Sequence, residues 1–252
     1  DQPRSRGLGD VYKRQSMNNL KTKMRNGETI LGLQVSTNLD KTQLERHLET
    51  GEYSFIWVDS QHAPLNEERL VEFCKEATEL AIPVLFRIRH TSHTYLVGNY
   101  LDLGPTGVEV PQVESEQTVD EAIANFYYPQ VGSRSWGGQT RLGLDKIPDV
   151  NSYAEWWANT GVLWMQVESI SAVTKARTLA KNGVDCLSFG PADLLFSIES
   201  NPDQPLQSVD DCVKFVVNEL SDSDVAVCYR SYDRASRQKY LDMGVTVLIE
   251  RP

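Results

Sequence analysis

The four cysteines, Cys74, Cys186, Cys212 and Cys228, are scattered along 252 residues and form no CxxC pair. That spacing excludes a zinc ribbon and a disulfide framework, and it fits reduced thiols in a cytoplasmic protein. Cys186 and Cys228 lie inside apolar runs, where a thiol acts as a small buried hydrophobe. No apolar stretch reaches the roughly 18 residues that read as a membrane span, and no signal peptide is visible. Neither GxGxxG nor GxxxxGK[ST] occurs, which removes the common nucleotide-binding architectures. Positive charge is in deficit: 25 Lys and Arg face 35 Asp and Glu, a formal net charge of −10. A chain this acidic repels nucleic acid and anionic membranes, so neither is an expected partner. A small anionic substrate stays open, because one arginine and a bound cation can reverse the sign inside a cleft.

What the chain does have is rhythm. Its first 16 residues, DQPRSRGLGDVYKRQS, show no apolar periodicity, and RGLGDVYKRQ resembles translated sequencing-adapter read-through. Residues 1–16 are therefore expected to be a non-native or disordered leader, with one catalytic domain over 17–252. NLKTKMRNG reads as a short helix closed by Gly27. Strand patterns follow at 31–36, 55–60, 84–89, 107–111, 163–169, 186–190, 225–231 and 245–250. Helical patterns lie between them at 40–50, 66–80, 92–102, 116–126, 171–182, 208–220 and 233–242, with Thr118 and Ser208 as candidate caps. Such alternation implies right-handed βαβ crossovers, and eight units predict an α/β fold closed as a (β/α)8 TIM barrel.

Two features break the pattern. Residues 127–161, rich in Gly and carrying Arg134, Trp136 and Arg141, are expected to form a functional loop over the barrel mouth. The sequence stops at Pro252, directly after the eighth strand pattern, so the expectation is a C-terminally truncated barrel lacking its eighth helix. An uncovered apolar patch beside the first and last strands would follow.

Charged groups sit at the downstream ends of four apolar runs: FIWVDSQH (Asp59, His62), VLFRIR (Arg87), LWMQVES (Glu168) and CLSFGPAD (Asp193). In a parallel barrel those ends converge on one face. Two carboxylates suit a hard divalent cation, which leaves coordination positions for substrate and water. Alone, either reads as a solvated loop group; emerging together from buried runs, Glu168 and Asp193 read as a ligand pair. A neutral histidine beside an aspartate suits acid/base work near neutral pH. Arg87, buried at the end of its run, would need an anionic partner, with Arg89 two residues on facing the same side. His47, His90 and His93 lack such an aspartate and are read as structural.

Taken in order and spacing, VDSQHAP, LFRIR, MQVES and FGPADLL, with the YYPQVGSRS segment, resemble the HpcH/HpaI aldolase family from about Asn18 to Pro252. The resemblance implies a metal-dependent class II pyruvate aldolase on a TIM barrel. It cleaves a 2-keto-4-hydroxy acid reversibly to pyruvate and an aldehyde. By the same resemblance Glu168 and Asp193 hold Mg²⁺ or Mn²⁺, and the Asp59–His62 dyad is the acid/base. Arg87 binds the keto oxygen, and the Gly190–Pro191–Ala192 turn, with Asp193, offers backbone N–H groups to the pyruvate carboxylate. Gln166 and Gln34 would support these groups. The family also implies a homo-oligomer, a trimer or hexamer. Gln61 stands where the family usually has an acidic residue, and Leu195 where it usually has serine. The competing readings are a CoA-ester lyase or decarboxylase of the same superfamily, and a barrel that binds metal or keto acid without catalysis.

Overall fold

Eight parallel strands, each hydrogen-bonded to the next, close on themselves in sequence order β1 to β8. The structure is a computed structural model that describes residues 19–147 and 149–252. The leader expected over 1–16 lies outside those residues, as do positions 17, 18 and 148 of the expected domain. The strands are β1 (Ile30–Gln34), β2 (Phe55–Asp59), β3 (Val84–Arg87), β4 (Gly107–Val110), β5 (Val162–Val167), β6 (Cys186–Phe189), β7 (Ala226–Tyr232) and β8 (Val247–Glu250). All eight expected strands are present, within a few residues of their expected bounds.

The helices, in chain order, are α1 (Leu20–Arg25), α2 (Lys41–Leu48), α3 (Glu67–Glu79), α4 (Val97–Leu101), α5 (Glu116–Phe126), α6 (Val150–Thr160), α7 (Ile170–Thr174), α8 (Ala176–Leu179), α9 (Pro191–Glu199), α10 (Val209–Glu219) and α11 (Arg237–Asp242). Ser208 caps α10 as expected, but Ser115, not Thr118, caps α5. The expected helix over 171–182 is two short ones, α7 and α8, and α9 had no sequence-level counterpart.

Strand alternation sorts side chains into two cores. Ile30, Phe55, Leu85, Val162, Trp164, Cys186, Cys228, Val247 and Ile249 fill the barrel interior, joined from below by Leu20 and Met24 of α1. Leu33, Val58, Phe86, Val108, Met165 and Leu187 point outward under the helices. Gly32 makes room in the tight lower layer: a Cβ there would stand 2.1 Å from the Phe55 ring. Fully burying one such Leu, Ile or Phe is worth about 1.5–3 kcal/mol.

Two expectations are corrected here. The segment after α5 does not cover the mouth. It follows a helix, so it emerges at the opposite face, where helices hand over to strands. Arg134 pairs with Asp102 just before β4 at 2.7 Å, the Thr140 hydroxyl bonds the Asp102 carbonyl, and the Tyr127 hydroxyl bonds Gly183 before β6. Trp136 packs against Tyr128 and Tyr153, with the Arg141 guanidinium 3.8 Å from its ring centre. These groups are structural. Nor, among the described residues, is an open apolar face present beside β1 and β8: Leu248 is fully buried and Leu31 partly so. Glu250, also buried, is held by Arg237 at 2.8 and 2.9 Å.

Candidate active site

The upper interior of the barrel is polar. Asp59 ends β2 and Arg87 ends β3, one strand over and in register with it. Arg87 donates Nε–H to Asp59 Oδ1 at 2.8 Å and Nη2–H to Oδ2 at 2.6 Å, a bidentate pair. Its Nη1 reaches Gln166 Oε1 at 3.1 Å, and Gln166 Nε2 donates to Glu168 Oε2 at 2.7 Å. Glu168 Oε1 accepts the backbone N–H of Gln112 at 2.9 Å. The sequence-predicted residues Asp59, Arg87, Gln166 and Glu168 thus form one hydrogen-bonded chain. Arg89 is exposed and outside it.

Gln112 is a contributor that sequence reasoning missed. Its φ of 51° lies in the left-handed region that a long side chain rarely adopts. That conformation turns its N–H toward Glu168. The only sequence signal was its position, after a proline at the end of β4.

Gly190 is a second close approach. A Cβ there would sit 2.1 Å from Glu168 Oε2 and 2.5 Å from Gln166 Nε2, so only glycine fits against this pair. It is also the N-cap of α9, which starts at Pro191 with no side-chain cap. The first N–H groups of α9, including those of Ala192 and Asp193, are left without an intrahelical partner. Asp193 itself is exposed, at the third position of the helix.

Burial and then the Asp193 charge push the Glu168 carboxyl up to about 7, against the partial offset of Arg230 and Arg87. Burial also acts to raise Asp59, but the hydrogen bonds and charge of Arg87 outweigh it and hold that carboxyl below its ordinary range. Asp59 additionally accepts the Gln61 N–H at 2.9 Å. The expected Asp59–His62 dyad is therefore not formed. Among the described residues no hydrogen bond joins Asp59 to His62, which is exposed and acts on Asp59 only through its charge.

A divalent cation fits this donor set. Glu168 and Asp193 lie close enough to raise the cost of ionising the former, and a cation would relieve that cost. Each Glu168 oxygen accepts one hydrogen bond and keeps a lone pair free. Among the described residues no cluster of three or more His, Cys, Asp or Glu side chains is placed to hold a metal. The protein's share would be two carboxylates, as hard cations that retain water require. Gln34 ends β1 with its Oε1 buried and unpaired, as is Oε1 of Gln61.

A sequence model of the family described as HpcH/HpaI aldolase/citrate lyase matches residues 37–245. The chain is 25% identical to a 2-keto-3-deoxy-L-rhamnonate aldolase of Klebsiella pneumoniae, covering 90% of this chain and 84% of that one. It is 26% identical to a hydroxypyruvate/pyruvate aldolase of Pseudomonas aeruginosa, at the same coverage. The structure of an HpcH/HpaI aldolase from Desulfitobacterium hafniense superposes with a TM-score of 0.78 at 23% identity, covering 92% of this chain and 90% of that one.

Proposed function

Because the chain belongs to the HpcH/HpaI aldolase/citrate lyase family, we propose that it is a divalent-metal-dependent pyruvate aldolase. In this reading a 2-keto-4-hydroxy acid is cleaved reversibly to pyruvate and an aldehyde. The observation that carries it is the continuous hydrogen-bonded chain from Asp59 through Arg87 and Gln166 to Glu168, beside Asp193.

Glu168 and Asp193 would hold Mg²⁺ or Mn²⁺. Bound there, the cation would supply Lewis acidity toward the ketone oxygen and neutralise the two carboxylates. Arg87 has one N–H left on each of Nη1 and Nη2 after its bonds to Gln166 and Asp59. Those N–H groups donate to the same oxygen, where negative charge builds as the neighbouring carbon loses its proton. The uncapped start of α9 receives the pyruvate carboxylate on its backbone N–H groups. In cleavage His62, exposed at the rim, takes the proton of the 4-hydroxyl as the C3–C4 bond breaks and returns it to the terminal carbon of the enolate. In condensation it takes a methyl proton and delivers it to the new alkoxide oxygen. Asp59 orients Arg87 in this mechanism, and His62 works without a carboxylate partner.

The test is pyruvate in D₂O, followed by loss of the methyl proton signal. Exchange should require added Mg²⁺ or Mn²⁺ and stop with chelator. Full exchange in excess chelator would point to a Schiff-base lysine and overturn the proposal. A panel of aldehydes offered with pyruvate then identifies the second substrate.

A further inference from the structure

Beside Arg87, starting from its register partner on β4, lies a buried assembly that the mechanism above leaves unused. Glu109 of β4 is fully buried and Arg230 of β7 is 2% exposed. Nη2 of Arg230 donates to the two Glu109 oxygens at 2.6 and 2.7 Å. The same carboxylate accepts the indole N–H of Trp57 at 2.6 Å, and the Ser188 hydroxyl donates to it as well. Arg230 also donates to the Phe189 carbonyl. One carboxylate thus ties together side chains from β2, β6 and β7.

Trp57 is the link to Arg87. Its ring centre is 4.8 Å from the Arg230 guanidinium carbon and 4.9 Å from that of Arg87. Both cations sit within the range where a tryptophan ring attracts them. The ring cannot tilt without stretching its bond to Glu109, and Glu109 is fixed in turn by Arg230. Asp59 and Gln166 fix where the Arg87 N–H groups point, while the Trp57 contact restrains tilting of the guanidinium.

Stability does not account for the Glu109–Arg230 pair. A buried ion pair rarely outperforms apolar residues of the same volume, so another return is expected from it. We propose that Glu109 and Arg230 are positioning residues that act through Trp57 on the guanidinium of Arg87, and so on enolisation of the keto acid. This rests on the aldolase reading. Neither residue touches substrate, because both are buried and engaged by Trp57, Ser188, the Phe189 carbonyl and each other.

The test compares the wild type with a paired replacement, Glu109→Leu with Arg230→Met, which leaves no unpaired charge. Methyl exchange of pyruvate with Mn²⁺ is read alongside thermal unfolding and Mn²⁺ affinity. The paired variant should unfold cooperatively. Because it removes one positive and one negative charge together, it should keep most of its Mn²⁺ affinity despite the charge Arg230 exerts on Glu168. It should nonetheless lose about a hundredfold in kcat at saturating Mn²⁺ with little change in KM, the expected cost of a misplaced group. Should that variant fail to fold, Trp57→Phe and Trp57→Leu carry the test. Phe keeps a flat face for Arg87 and should retain more kcat than Leu at matched stability, an ordering a purely structural role would not produce. Equal kcat in all variants, or a loss confined to KM, overturns the proposal. A wild type with no exchange at all overturns the aldolase reading first, and the positioning role with it.

Discussion

Among single residues, Glu168 has the most measurable consequence. Its folded-state carboxyl, at about 7, lies above the ordinary value of 4.5, so the folded protein holds this proton more tightly than the unfolded chain. The associated stability is fully present below the unfolded value and is lost as pH rises through the folded one. That loss is of the order of 3 kcal/mol from the size of the shift. The metal-free protein should therefore become less stable between about pH 5 and about pH 8, and Glu168→Gln should flatten that slope in chemical denaturation. A cation must displace the same proton, so Mn²⁺ affinity should fall as pH drops below about 7, measured by calorimetry in buffers of different ionisation heat. Asp59 gives a second prediction. Because its carboxylate is engaged by Arg87, Asp59→Asn should lower exchange as Arg87→Met does, and a double-mutant cycle should show strong Asp59–Arg87 coupling and weak Asp59–His62 coupling. The sequence places Asp59 three residues before His62 and invites the opposite pairing. Adjacency along the chain says nothing about which neighbour across the barrel competes for a carboxylate, and a bidentate guanidinium one strand away wins.

At the level of elements, the strands were legible as short, nearly continuous apolar runs, the pattern of parallel strands buried on both faces, and the ends of those runs marked the site. Helix α9 was not. PADLLFSIE carries a proline at its start and was read only as the turn after β6, although proline at the first helical position is a start signal. The long segment after α5 was assigned to the wrong face for a related reason. Glycine content and two arginines look the same at either end of a barrel. What decides the face is the preceding element, and a segment that follows a helix comes out below. Gly190 and Gln112 are where backbone geometry governs the site. Gly190→Ala should cost at least a hundredfold in exchange, since its methyl would push Glu168 and Gln166 out of place. Gln112→Gly should keep activity, because the donating N–H remains, and any change in stability should be within about 1 kcal/mol by denaturant titration.

For the molecule as a whole, the two ends of the barrel divide the labour. Lys21 of α1 is buried at the lower end, with its ammonium on Asp185 at 3.0 Å, the Gly161 carbonyl at 2.8 Å and the Tyr127 hydroxyl at 2.9 Å. Lys21→Met leaves buried Asp185 with the Leu163 N–H at 2.9 Å and a longer contact to Arg25 as its one remaining cation, and should cost about 3 kcal/mol in unfolding free energy while kcat is unchanged. A parallel loss of kcat would mean that the two ends are coupled. The Glu109–Arg230 pair adds a consequence for how such a chain reaches its native state. The anion is supplied by the fourth strand and the cation by the seventh, 121 residues later. A half barrel ending before β5 that closed over its own interior would bury a carboxylate with no counter-ion, and the complementary half a guanidinium. Neither half gains from closing early, so concerted assembly is the expectation, with autonomous half-barrel intermediates penalised by charge as well as by open strand edges.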